Sequence, residues 1–80
     1  MDYAAMSLSE IAQVIYRDWG SKLNFAAKPY LEAMATLQSV KDMYYCDEGS
    51  SIVAYFLCNA GTWRGEVARE VKKELNLRIK

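Results

Sequence analysis

The residues able to do covalent or metal chemistry are few. Cys46 and Cys58 are the only thiols, and none of the 80 residues is a histidine. Without imidazole the chain lacks both the usual general base and the commonest metal ligand. Two cysteines alone cannot complete a tetrahedral zinc site within one chain. A nucleophilic thiol needs an exposed, electropositive setting, and the apolar run Ile52-Val53-Ala54-Tyr55-Phe56-Leu57-Cys58 does not offer one. The tightest carboxylate pair, Asp47-Glu48, sits beside an expected helix start and has a structural explanation there. The four glycines are scattered singly, so no phosphate-cradling loop is present. The reading is a protein that is not an enzyme and that holds no metal or cofactor.

What remains is recognition chemistry. The formal charge is zero but unevenly placed: seven acids face four bases up to Thr62, and six bases face three acids from Trp63 onward. Such asymmetry can mark an end that meets a polyanion. Lys and Arg late in a terminal helix also suit its dipole, and acids interrupt this basic face, so solvation explains it as well. The expected partner-binding residues are Arg69, Lys72 and Lys73 on the outer face of the last helix, with Glu66 as a specificity charge. Six tyrosines form the other recurrent feature. Core or rim packing is the preferred reading for any one of them, while Tyr44-Tyr45 followed by Asp47-Glu48 makes a second contact patch.

These residues must be held by elements the sequence also specifies. Ser7-Leu8-Ser9-Glu10 reads as a capping box, and Leu8, Ile11, Ala12, Ile15 and Trp19 follow the helical period to Gly20. Leu23 and Phe25 then read as buried side chains of a connection. Pro29 opens a second helix, whose face Tyr30, Ala33, Met34, Leu37, Val40 and Tyr44 should pack on the first. Either Asp47 or Ser50 can cap the third helix; Asp47 is preferred, with Gly49 a mild cost in the first turn. That helix is apolar on every side and should be enclosed, ending at Ala60 with Gly61 left-handed. Thr62 caps a fourth, with Trp63, Val67, Ala68, Val71 and Leu75 inward. The expectation is an all-α, compact four-helix single domain over 1–80, with helices at about 8–19, 29–45, 48–60 and 63–77. Residues 1–6 read as a flexible leader, Met6 being an alternative natural start.

Trp63-Arg64-Gly65 reads as a structural corner. On the helical wheel Arg64 falls with the apolar set, so it needs an acid, and Asp18, Asp42, Asp47 and Glu48 are the candidates. Gly65 suits close approach by another backbone or a partner. Helix three, turn and helix four also share the layout of a DNA-binding helix-turn-helix, although Gly65, Glu66, Arg69 and Glu70 are a poor set for approaching phosphates.

A chain this short supports one modest core, so a partner or self-association would help it. Neither a cysteine framework nor a basic, apolar leader argues for secretion, and both thiols read as reduced core or helix-end groups. The longest apolar run falls far short of the roughly 20 residues a membrane span requires. Residues 25–34, 51–60 and 63–69 resemble small uncharacterised proteins of phage and prophage genomes. The resemblance implies a genomic setting only: the cytoplasm of a bacterial host, and a host protein or protein–nucleic acid complex as partner. In that setting the expected role is a small accessory protein, such as an anti-CRISPR-like inhibitor of a bacterial defence system. A helix-turn-helix protein binding nucleic acid directly, and a homo-oligomeric assembly protein, are the alternatives.

Overall fold

In the computed structural model, which describes residues 2–80, the Ser7 capping box forms in full. Glu10 N–H donates to Ser7 Oγ at 3.2 Å, and Ser7 N–H donates to Glu10 Oε1 at 2.8 Å. It opens α1 (Leu8–Trp19), which buries Leu8, Ile11, Ala12, Ile15 and Trp19 and closes on Gly20. The short α2 (Lys28–Met34) follows, with Pro29 in its first turn. A two-stranded antiparallel hairpin pairs β1 (Met43–Tyr44) with β2 (Asp47–Glu48), Met43 opposite Glu48 and Tyr44 opposite Asp47. The chain then forms α3 (Gly49–Cys58) and α4 (Glu66–Arg78). The result is mostly helical with a small sheet, packed to a radius of gyration of 11.2 Å, close to the roughly 12 Å expected for this length.

The second helix stops well before residue 45 because local hydrogen bonds take the backbone elsewhere. Thr36 Oγ1 donates to the Ala33 carbonyl, and the Asp42 carboxylate accepts from the Gln38 and Ser39 amides at 3.0 and 3.1 Å. Side chains of this kind offer the backbone partners that compete with a helix. The resulting loop caps α1 from outside, since Leu8 N–H donates to the Gln38 carbonyl at 3.0 Å. Leu37 is still buried, and Val40 and Tyr44 still pack on the core, so the apolar spacing survives without the helix. Leu23 also packs there, but Phe25 is 84% exposed, contrary to its expected burial.

Neither Asp47 nor Ser50 caps α3; Glu48 occupies the cap position without a side-chain bond. Gly49 is not a cost but a requirement. A Cβ there would lie 2.9 Å from the Ser39 carbonyl oxygen and 3.0 Å from Val40 Cα, so the loop and the helix start can meet only at glycine. The third helix is also less enclosed than its composition suggests. Ile52, Val53 and Phe56 are buried, whereas Tyr55 and Cys58 face out. α2 packs on α3 and α1, and α4 packs on both α1 and α3. At the centre, the Trp19 and Trp63 rings stack at 5.7 Å with Phe56 edge-on to each.

The fourth helix starts at Glu66, later than expected, and Asn59 rather than Gly61 ends the third. Gly65, with φ 113°, is the positive-φ residue of this connection, a conformation that side-chain-bearing residues rarely adopt. Tyr3–Ala5, within the expected flexible leader, form a single 3-10 turn against α4, where Arg78 donates to the Tyr3 and Ala4 carbonyls. Met1 lies outside the described residues.

Candidate partner-binding surface

The four residues expected to bind a partner do not form one free face. Glu66 and Arg69 are exposed but pair with each other in the first turn of α4. Lys72 turns inward, against expectation: its ammonium donates to the Ala60 and Trp63 carbonyls at 2.7 Å each and lies 5.8 Å from the Trp63 ring centroid. Partial burial, and then the nearby Arg64 charge, push its pKa below the ordinary lysine range. It therefore holds the connector, whose carbonyls have left the helical pattern and need donors. Lys73 remains exposed, beside a shallow cleft of about 260 Å³ that Tyr3, Glu70, Glu74 and Leu77 also line.

The corner keeps Trp63 as its anchor, only 2% exposed, with its indole N–H donating to Asp18 at 2.8 Å. Arg64 instead points to solvent, and no ion pair among the described residues includes it. The helical wheel placed it inward only because the helix was taken to begin at Trp63. Asp18, one of its expected acids, serves the indole. The connector between α3 and α4 spans residues 59–65, longer than the three- or four-residue turn of a helix-turn-helix.

Before the N-terminus of α3, the hairpin creates a surface that periodicity alone did not reveal. Tyr30 of α2, Tyr44 and Asp47 of the hairpin, and Tyr55 of α3 line a cleft of about 280 Å³, with Pro29, Ala33 and Ile52 beneath and beside them. The Tyr30 and Tyr55 rings stand 5.5 Å apart, tilted by 32°. Tyr44 meets Tyr45 edge-on at 4.8 Å. Tyr45 and Cys46 form the hairpin turn, and Tyr45 adopts φ 56° while remaining 86% exposed. A left-handed tyrosine costs roughly 1–2 kcal/mol, and here that conformation closes the two-residue turn of the hairpin, which calls for a positive φ at this position. Asp47 and Glu48 are exposed, and neither joins an ion pair among the described residues.

The sequence did carry a signal for this surface. Tyr44-Tyr45 followed by Asp47-Glu48 was legible as a contact patch but not as a hairpin, because Tyr45, a strand former, takes the turn while Asp47 and Glu48, poor strand formers, pair. Tyr30 and Tyr55 join it only through the packing of α2 on α3. Cys46 and Cys58 are free and exposed, the latter at a helix end, so neither is a core thiol. Among the described residues no three Cys, Asp or Glu side chains gather as a metal site requires, and no helix is long and apolar enough to cross a membrane. Compared with protein-family models, curated proteins and solved structures, the chain matches none of them.

Proposed function

We propose that this chain is a small accessory protein that works by binding a macromolecular partner rather than by catalysis, and that its contact face is the tyrosine-lined side built by α2, the hairpin and α3. The observation that supports this is a cleft lined by Tyr30, Tyr44 and the 53% exposed Tyr55, next to a hairpin that leaves Met43 55% and Tyr45 86% exposed. Tyrosine and methionine are enriched at the core of protein interfaces because they supply contact area with few rotamers to freeze.

The resemblance of residues 25–34, 51–60 and 63–69 to phage and prophage proteins supplies the setting: the cytoplasm of a bacterial host, with a host protein or protein–nucleic acid complex as target. An inhibitor of a defence system, of the anti-CRISPR kind, is the role that fits a binding protein of this size there. Direct DNA binding ranks below it, because Glu66 pairs Arg69, Lys72 faces inward and the connector is long.

The test is a pull-down with tagged protein from bacterial lysate, with and without nuclease, at low and moderate salt. A stoichiometric protein partner should survive nuclease and be lost with Tyr45→Ala or Tyr55→Ala. Recovery of nuclease-sensitive, salt-labile nucleic acid alone would put the DNA reading first.

A further inference from the structure

We infer that the cleft between α2, the hairpin and α3 is a receptor for one cationic side chain, an arginine or lysine presented by a partner protein. The inference rests on the partner-binding reading above and names the chemistry of its contact.

Three tyrosines from three different elements, Tyr30, Tyr44 and Tyr55, bring their rings to this cleft, and Asp47 is the carboxylate among the residues that line it. Aromatic faces carry a negative quadrupole, and an ammonium or guanidinium held against them gains roughly two- to thirty-fold in affinity, depending on how far it is desolvated. Asp47 adds a carboxylate to this lining, while Glu48, the next residue of the strand, is exposed outside it. An apolar occupant would strip water from Asp47 and return nothing, whereas a cation answers both the rings and the carboxylate. A phosphate would be repelled by Asp47, so this cleft suits a basic protein segment and not a nucleic-acid backbone. The chain does not fill the site itself: Lys28 and Lys41, the cations nearest in sequence, make no ion pair with either acid. The guanidinium is more weakly hydrated than an ammonium and stacks on aromatic faces, which orders the expected ligands as arginine before lysine.

The probes are N-acetyl-arginine-N-methylamide and its neutral isostere, the citrulline analogue, titrated into the intact protein while the ring protons of Tyr30, Tyr44 and Tyr55 are followed by NMR. The arginine probe should shift these rings saturably in the millimolar range, with citrulline at least five-fold weaker. Asp47→Asn, an isosteric change at an exposed position, should weaken arginine several-fold and leave citrulline unchanged. Tyr55→Ala, checked for native ring dispersion elsewhere, should weaken it further. Equal shifts from both probes, or shifts confined to α4, would overturn the inference. So would concentration-dependent dimerisation abolished by Tyr45→Ala but indifferent to Asp47→Asn, which would assign the face to a second copy. The two readings also fail separately. A partner captured equally by wild type and Asp47→Asn would sink the cationic receptor and keep partner binding. Saturable arginine binding with no partner from any host lysate would do the reverse.

Discussion

The two ends of α3 lead into opposite situations. Beyond its C-terminus, polar groups that the connector leaves without helical partners are met from within the chain: Lys72 serves two carbonyls, Asp18 serves the Trp63 indole, and Glu66 pairs Arg69. Before its N-terminus, the hairpin leaves Tyr45, Asp47 and Glu48 exposed, the two acids outside any ion pair among the described residues, and Asp47 lines a cleft with Tyr30, Tyr44 and Tyr55. The difference teaches where to look for function in so small a protein. Charges that look free on a helical wheel can be structural, and residues that look like core aromatics can be the surface left over.

The comparison breaks first, and with the largest effect, at Trp63. Its ring is buried against Trp19 and Phe56, and its N–H satisfies Asp18. Trp63→Ala should cost about 3–5 kcal/mol, comparable to all that a core this small provides. Urea denaturation should show a protein largely unfolded at 25 °C. A variant that melts like wild type would mean that the connector is not part of the core.

Gly49→Ala comes next, on the hairpin side. The added methyl meets the Ser39 carbonyl oxygen and Val40 backbone rather than a flexible side chain, so the loop must move, at a cost of roughly 1–3 kcal/mol. Gly61→Ala is the contrast, because nothing lies within 4 Å of its Cβ and its φ is not positive. That change should leave the melting temperature level or slightly raised. Equal effects at the two glycines would deny the close approach of loop to helix.

How much of this was legible in the sequence follows from the range of each interaction. The α1 capping box and stripe are local, so residues 7–20 were readable to the residue. The inward set Ala68, Val71 and Leu75 of α4 was readable for the same reason. Helix two was overextended because Leu37, Val40 and Tyr44 keep helical spacing while the Asp42 carboxylate redirects the backbone, and apolar spacing does not report which backbone geometry delivers it. Arg64 and Lys72 exchanged roles through a shift in where α4 begins. The tyrosine cleft joins residues from Pro29 to Tyr55, and only tertiary packing puts Tyr30 against Tyr55.

Lys72 and Lys73 sharpen the comparison on the α4 side. Lys72→Ala removes a donor from two carbonyls, of which Ala60 keeps the Trp63 amide, and should cost about 1–2 kcal/mol. Lys73→Ala should stay within about 0.5 kcal/mol, as exposed substitutions usually do. Paired thermal melts decide it, and equal losses would mean that the inward contact has no energetic weight. On the other side, Tyr45→Gly relieves the left-handed strain and should stabilise by up to about 1 kcal/mol, less the entropy glycine loses on folding. Partner capture should fall at the same time. A variant that gains stability and keeps binding would remove Tyr45 from the proposed contact face.

The smallest effect belongs to the capping box, which lies on neither surface and so measures the fold alone. Hydrogen bonds from the Ser7 backbone and then its hydroxyl hold the Glu10 carboxyl below its ordinary pKa of 4.5. A carboxylate whose pKa is lower folded than unfolded binds fewer protons in the native state, so its contribution to stability is fully present above the unfolded value. It is lost as pH falls through the folded one. Melting temperature should therefore decline on acidification below about pH 4.5, in the range where the unfolded chain takes up the proton first. Glu10→Gln keeps an acceptor for the Ser7 amide while removing the charge, so its melting temperature should fall less steeply across the same range. Parallel acid profiles for the two proteins would mean that the ionisation of Glu10 is not linked to folding through its bonds to Ser7.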